Sequence, residues 1–433
     1  MLPQYRKAIL EILGHPKNIG ILGYGQEGRS SHRILRELYP DTTITVYDQN
    51  EVKQTNYNHD HYITGPDYRT HLNKCDVLLR SPGIKLGVSE YTGHVTSQVD
   101  IFTKACRERI IGVTGTKGKS TTVTLIHHLL SQHFKTALVG NIGTPVLECL
   151  FTNYDYYVCE YSCHQLSDIS ASPKYAVLLN LFPEHLDYYD TLSDYYATKR
   201  NIYNFQVEGD HLYSITGIKN GALVVSIDET INVNGVDILA GEQFITINGN
   251  RLKYAQRLTG RHNKLNQAFA VAVAIELGVP VDSIARGLTS FTGLPHRLEA
   301  IDISSSLSFI NDSISTIPQS TIAAMQSFAD LKVVMIGGFD RGIDYEPLVA
   351  YLNKNTKCKI VLFSDVGKRI SEELIVGYSL FATFADATDF VLELEIGQGT
   401  VLMSPGASSY DEFQSFVHRG NFFKDRVVKH FSK

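Results

Sequence analysis

The chain has 433 residues, 43% hydrophobic and 20% charged, with a formal net charge of -5. That length exceeds one ordinary core, so two or three domains are expected, and the acidic balance offers no broad basic surface to nucleic acid. No apolar run reaches membrane-span length, the first residues lack a secretory signal's apolar stretch, and six cysteines without a Cys-x-x-Cys pair read as reduced thiols of a cytoplasmic protein.

In chain order, Asn18 to Leu22 reads as an apolar strand, followed by Gly23-Tyr24-Gly25-Gln26-Glu27-Gly28 and a helix over 29–37. A second strand, Thr43 to Tyr47, ends in Asp48. Glycines at this spacing form a tight turn and open a helix at a phosphate, and an acidic residue about twenty positions later meets a ribose hydroxyl. The pattern alone also fits a nicotinamide-dependent oxidoreductase. Val77 to Arg80 is a further strand, running into Ser81-Pro82-Gly83-Ile84, a loop where a ligand would be touched.

The run Gly115-Thr116-Lys117-Gly118-Lys119-Ser120-Thr121-Thr122 follows the strand Ile110 to Val113 and opens a helix over 121–130. Strand, glycine loop, Lys-Ser and helix bind nucleotide phosphates: backbone N–H groups close around the anion, Lys119 adds a point charge, and the Ser120 hydroxyl can ligate Mg²⁺. The strict pattern has glycine at 113, where this chain has Val113. Strands are expected at Thr136 to Gly140, Tyr156 to Cys159 (ending in Glu160) and Tyr175 to Asn180, closing on Glu184-His185-Leu186-Asp187. Alternation with helices predicts a mostly parallel sheet with ligand groups at its carboxyl ends, where Glu160 and His185 fall.

Residues 206–258 are turn-rich, with Asn248-Gly249-Asn250 as a hairpin signal, and are expected to form a small β excursion. A helix follows from Asn266 to about Leu277. A third α/β region begins near Arg297, with strands at Leu331 to Ile336, Lys359 to Phe363 and Thr400 to Met403, and a helical segment from Phe413 to Phe431. The predicted fold is α/β in three domains. Residues 1–106 form a Rossmann-like domain, 107–296 a P-loop ATPase domain with a mostly parallel sheet, and 297–433 a second Rossmann-like domain.

Three such domains with these loops resemble the Mur ligases of peptidoglycan synthesis, most closely the glutamate-adding members. The resemblance covers nearly the whole chain. It rests on the phosphate loop, Gly140-Asn141-Ile142-Gly143, Glu184-His185-Leu186-Asp187 with Lys199 following, Gly260-Arg261-His262-Asn263-Lys264-Leu265-Asn266, His296-Arg297, Asn311-Asp312-Ser313, Ser404 to Ser409, and Arg419-Gly420.

The resemblance implies an ATP-dependent amide-forming ligase acting on UDP-N-acetylmuramoyl-L-alanine and glutamate through an acyl phosphate. Its partners are then small molecules, with neither nucleic acid nor membrane, and it acts as a monomer. Lys119, Lys199, His185 and Asn141 are implied in catalysis, and Ser120, Glu160, His185 and Lys199 in holding two Mg²⁺ ions, Lys199 as a carbamate. A lysine reacts with CO₂ only as the neutral amine, so its site must lower its pKa. Gly115 to Thr121, Asn266, Arg297 and Asp312 are implied for ATP, the last two lying across a domain boundary from the loop. Gly23, Gly25, Asp48, Ser81, Pro82, Gly83, Asn141, Ser162 and Gln165 are implied for the UDP-substrate, and Thr316, Arg341, Ser409 and Phe416 for glutamate.

Two segments depart from the family pattern. Glu-x-Ser-Ser-Phe-Gln becomes Glu160-Tyr161-Ser162-Cys163-His164-Gln165, and Asn-Asp-Ser-Lys-Ala-Thr-Asn becomes Asn311-Asp312-Ser313-Ile314-Ser315-Thr316-Ile317. Loss of the lysine at Ile314 leaves D-glutamate favoured and L-glutamate as the alternative. Folylpolyglutamate synthase lacks the N-terminal domain. An oxidoreductase leaves the phosphate loop unexplained, and a non-catalytic nucleotide-binding regulator leaves the metal-ligand set without a role.

Overall fold

Parallel strands buried on both faces read as near-continuous apolar runs, and the three inner strands of the first sheet are built this way. In the computed structural model, which describes all residues except 53–58, 88, 143, 185–187, 216–221, 256–257, 259–260, 356 and 433, contacts divide the chain into two compact units, Met1–Phe291 and Thr292–Lys433. The first unit opens with α1 (Pro3–Leu13), β1 (Asn18–Leu22), α2 (Gln26–Leu38), β2 (Thr43–Asp48), β3 (Asp60–Thr64), β4 (Val77–Arg80), β5 (His94–Thr96) and α3 (Gln98–Cys106). The strands pair in parallel in the order β3-β2-β1-β4-β5. Register sets Leu22 against Tyr47 and Arg80, so Gly23, Asp48 and Ser81 emerge side by side at the carboxyl edge. The helix α2 starts three residues earlier than the pattern indicates, because Gly25 already serves as its N-cap. A Cβ on Gly28 would lie 2.1 Å from the Gly23 carbonyl oxygen, so only glycine lets α2 lie this close to β1.

The same unit continues with β6 (Ile110–Thr114), α4 (Lys119–Leu130), β7 (Thr136–Gly140), β8 (Tyr156–Glu160), α5 (Cys163–Leu166), β9 (Tyr175–Leu178), α6 (Leu192–Asn204), β10 (His211–Ser214) and β11 (Leu223–Val224). These strands form a parallel sheet in the order β11-β10-β9-β6-β8-β7. A four-stranded antiparallel sheet follows, β12 (Thr230–Val233), β13 (Val236–Ala240), β14 (Phe244–Ile247) and β15 (Asn250–Lys253), and then α7 (Arg261–Glu276) and α8 (Val281–Ser290). The β excursion is therefore shorter than expected. The strands β10 and β11 extend the central sheet, since Leu212 and Tyr213 bury beside β9 and take its parallel register. The turn at Asn248 and Gly249 joins β14 to β15 as its hairpin signal indicates.

The second unit contains β16 (Glu299–Ala300), β17 (Leu307–Asn311), α9 (Pro318–Gln326), β18 (Leu331–Gly337), α10 (Glu346–Asn355), β19 (Lys359–Phe363), α11 (Ser364–Ser371), β20 (Tyr378–Phe381), α12 (Phe384–Leu392), β21 (Gly399–Met403) and α13 (Phe416–Phe431). The order is β16-β17-β21-β18-β19-β20, parallel except for the β16–β17 pair. Strand alternation splits its core: Val334, Ile336, Leu362 and Leu402 pack on one face, and Val333, Met335, Val361 and Val401 on the other. No helix among the described residues is long and apolar enough to cross a membrane.

Candidate active site

The phosphate loop leaves β6 after Thr114. Val113, where the strict pattern has glycine, lies fully buried inside the strand, so the turn begins only at Gly115. Gly118 caps α4 at φ +87, and a Cβ there would meet the Asn266 side-chain oxygen at 2.8 Å. Asn266 thus lies against the loop, its amide donating 3.2 Å to Asn263. No side chain caps α4, so N–H groups of its first turn, where Ser120 and Thr121 sit, remain available to an anion. Asn180 holds the loop by accepting from Lys117 N–H at 2.9 Å and donating to the Lys117 carbonyl at 2.9 Å. The Lys117 ammonium pairs with Glu184. Thr116 Oγ1 accepts from the Phe182 N–H at 2.9 Å and lies 3.0 Å from the Tyr195 hydroxyl.

Two lysines meet at this loop. Lys119 Nζ donates to the carbonyls of Gly115 at 3.0 Å and Thr116 at 2.9 Å. Lys199, on α6 and only 1% exposed, donates to the Gly115 carbonyl at 2.9 Å. Its ammonium stands 5.0 Å from the centre of the Tyr195 ring, one helical turn earlier. Burial lowers the pKa of Lys119. Burial, with the neighbouring Lys119 charge second, lowers that of Lys199 to about 8.

Glu160 ends β8, pairs in register with Val113 of β6, and is 1% exposed. One carboxylate oxygen accepts from Asn141 Nδ2 at 2.9 Å; the other has no hydrogen-bond partner among the described residues. A buried carboxylate oxygen left open suits a hard cation. Ser120 and a carbamate on Lys199 would supply further oxygens, so these residues fit Mg²⁺. Among the described residues no three His, Cys, Asp or Glu side chains group as a ready metal site. His185, Gly143 and Gly260 lie outside the described residues.

A cavity of about 650 Å³ opens at the carboxyl edge of the first sheet and extends to the end of β7. Gly23, Gly25, Asp48, Ser81, Pro82, Gly83, Asn141 and Gln165 line it. The Asp48 carboxylate accepts from Tyr24 N–H at 2.7 Å and Asn50 N–H at 2.8 Å, and Ser81 Oγ donates 2.9 Å to the Gly23 carbonyl. Ser162 does not line the cavity. It forms a capping box with Gln165 at the start of α5, accepting from Gln165 N–H at 3.2 Å.

In the second unit Arg297 is exposed, while Asp312 is buried, accepting from Leu298 N–H at 3.2 Å and Ser404 Oγ at 2.7 Å. Arg341 donates 2.9 Å to the Thr316 carbonyl, and the Phe416 carbonyl accepts from Ser313 Oγ at 2.8 Å. Ser409 is buried beside the Ala407 and Ser408 carbonyls, both of which accept from Arg419. Arg419 is fully buried, bonds only carbonyls and the Ser313 hydroxyl among the described residues, and has its pKa lowered by burial to about 10. Its structural role exceeds what the Arg-Gly pair indicated. Tyr195 was also missed; its signal was its position four residues before Lys199 on one helix face.

A phosphate loop beside an open buried carboxylate, in an α/β unit followed by a second α/β unit, defines a nucleotide-phosphate-binding protein of the α/β class. The Mur ligase middle domain profile matches residues 113–274. The chain is 30% identical to a UDP-N-acetylmuramoylalanine–D-glutamate ligase of Ruminiclostridium cellulolyticum, covering 98% of each chain. It is 31% identical to a UDP-N-acetylmuramoyl-L-alanine–L-glutamate ligase of Xanthomonas oryzae pv. oryzae, covering 94% of each. Among solved structures, MurF from Acinetobacter baumannii shares the fold with a TM-score of 0.55 at 17% identity, over 99% of this chain and 98% of that one. The chain belongs to the Mur ligase family.

Proposed function

We propose that this protein joins glutamate to the lactoyl-alanine carboxylate of UDP-N-acetylmuramoyl-L-alanine, with ATP converted to ADP and phosphate, in peptidoglycan precursor synthesis. The carrying observation is the meeting of Lys119, Lys199 and the open Glu160 oxygen at adjacent strand ends. A carboxylate oxygen of the substrate attacks the γ-phosphorus and ADP leaves. The amine of glutamate then attacks the acyl carbon, phosphate departs, and the nitrogen loses its proton.

Lys119 and the α4 N–H groups orient the phosphates and stabilise charge that builds in transfer. Asn141, bonded to Glu160, positions the substrate carboxylate. In this reading Ser120, Glu160, His185 and Lys199, as a carbamate, would hold two Mg²⁺ ions, which would neutralise and align the two anionic reactants. Asn266, Arg297 and Asp312 serve ATP. The cavity residues, with Ser162, serve the UDP-substrate. Thr316, Arg341, Ser409 and Phe416 serve glutamate, Arg341 by a bidentate carboxylate pair. Residues 1–106 then take the UDP-substrate, 107–296 ATP and 297–433 glutamate, with Arg297 and Asp312 of the last also serving ATP; sheets that end at Thr96 and Lys253 and resume at Ile110 and Glu299 support these bounds. It makes the enzyme cytoplasmic and monomeric.

D-glutamate is the favoured substrate. L-glutamate is the second reading, favoured by the Xanthomonas relative and by Ile314 in place of the family's lysine. Phosphate release measured with UDP-N-acetylmuramoyl-L-alanine and a panel of amino acids tests the whole assignment. Release that ignores the nucleotide substrate would overturn it.

A further inference from the structure

The cavity contains a carboxyl group that its expected ligand would repel. Glu27 lies in the first turn of α2, whose N-cap Gly25 offers no side-chain cap, so this helix end presents N–H groups to an anion. Glu27 Oε1 is shut off from solvent and has no partner among the described residues. Gln98, 2% exposed, lines the same cavity. Its amide donates to Ser31 Oγ at 3.0 Å and the Glu27 carbonyl at 3.4 Å, which fixes its other end as an acceptor, and that Oε1 is also unpartnered among the described residues. An ionised Glu27 here would add a second open acceptor and a negative charge where a diphosphate is expected.

We propose that Glu27 binds the nucleotide substrate as a neutral acid, donating its carboxyl O–H to a phosphate oxygen at the N-terminus of α2, so that binding takes up one proton from solvent. The inference rests on the assignment of this cavity to the UDP-substrate.

The surroundings favour the neutral form. Burial, with the Asp168 charge second, pushes the Glu27 carboxyl up to about 7. Asp168 follows α5 and is itself held by Arg80 of β4 at 2.6 Å and 2.8 Å, so that guanidinium is already committed. Cys159 of β8 is nearby and has its thiol raised by burial. Gln98 of α3 is uncharged. Across the cavity lie Asp48, Arg69 and Lys85; Arg69 pairs with Glu90 and Lys85 with Asp190. On α2 itself, Arg29 stands 5.6 Å from the Tyr24 ring centre and donates to the Tyr24 carbonyl. An arriving anion raises the Glu27 pKa further, so the proton enters with the ligand.

The test is calorimetric titration of the full chain with UDP-N-acetylmuramoyl-L-alanine in two buffers of different ionisation enthalpy. At pH 8 an acid of pKa about 7 is roughly nine-tenths ionised when free, so wild type should take up close to one proton on binding. Glu27→Gln, which keeps a donor without titrating, and Glu27→Ala should each lose that uptake. The wild-type dissociation constant should rise between pH 7 and pH 9, by up to about tenfold per unit, whereas Glu27→Gln stays flat. Equal proton uptake by wild type and both variants, or an unchanged pH dependence in Glu27→Gln, overturns the inference. Failure of wild type to bind the nucleotide at any pH instead overturns the cavity's assignment.

Discussion

Lys199 Nζ donates to the carbonyl oxygen of Gly115 at 2.9 Å, across 84 positions of chain, tying α6 to the first residue of the phosphate loop. This bond puts a buried ammonium beside that of Lys119, which reaches the same carbonyl. With its pKa near 8, Lys199 is half neutral at pH 8; an ordinary lysine there is neutral in roughly one part in 300. CO₂ therefore has an amine to react with. Activity should fall when CO₂ is stripped, recover with bicarbonate, and, at equal dissolved CO₂, recover faster at pH 8 than at pH 7. Mass spectrometry under native conditions should find the added carboxyl on wild type and not on Lys199→Ala. A fully active Lys199→Ala protein would remove the role.

Lys119→Ala should leave the fold intact and lower turnover by about 10²–10³-fold, the scale of removing one charge-stabilising donor. Circular dichroism checks the fold and phosphate release the rate. Near-normal turnover would end the phosphate-loop assignment.

Glu160→Gln keeps an acceptor for Asn141 but removes the charge. The Mg²⁺ concentration giving half-maximal rate should rise by at least roughly tenfold, since even outer-shell changes at metal sites cost about 10–100-fold in affinity. An unchanged Mg²⁺ requirement would show that this carboxylate holds no metal.

The Arg80–Asp168 pair is buried and bidentate. Asp168→Ala strands the guanidinium and should cost about 3–5 kcal/mol of stability, read by urea unfolding. It should also lower the Glu27 pKa, because the charge that helps raise it is gone. Proton uptake at pH 7 would then increase, as more Glu27 is ionised before the substrate arrives.

Initial rates with D- and L-glutamate at equal concentration should differ by about tenfold or more, because one misplaced contact to a charged group costs about 1.5–3 kcal/mol. Equal rates would mean that the pocket around Arg341 and Thr316 is not the glutamate site. Activity with monocarboxylic amino acids alone would remove glutamate.

Local signals carried most of the elements. Thr136–Gly140 and Lys359–Phe363 are strands at the ends their apolar runs mark, and the phosphate loop declares itself through glycine spacing and the Lys-Ser pair. These are legible because period, turn chemistry and glycine backbone freedom act within a few residues. What escaped was long-range. Nothing around His211–Ser214 says that it completes a parallel sheet instead of the following antiparallel one; that depends on pairing with β9, more than thirty residues earlier.

By itself the sequence determined three α/β regions, a nucleotide-phosphate loop, and the residue types that would surround it. Only the tertiary structure decided their chemical state. Lys199 reads as a surface lysine on a polar helix until packing buries it beside Lys119, and Glu27 reads as an ordinary helix-start acid until Asp168 and the cavity wall enclose it. Desolvation and Coulomb interactions depend on distance in space, and the groups that supply them here come from segments some 80 to 140 positions away.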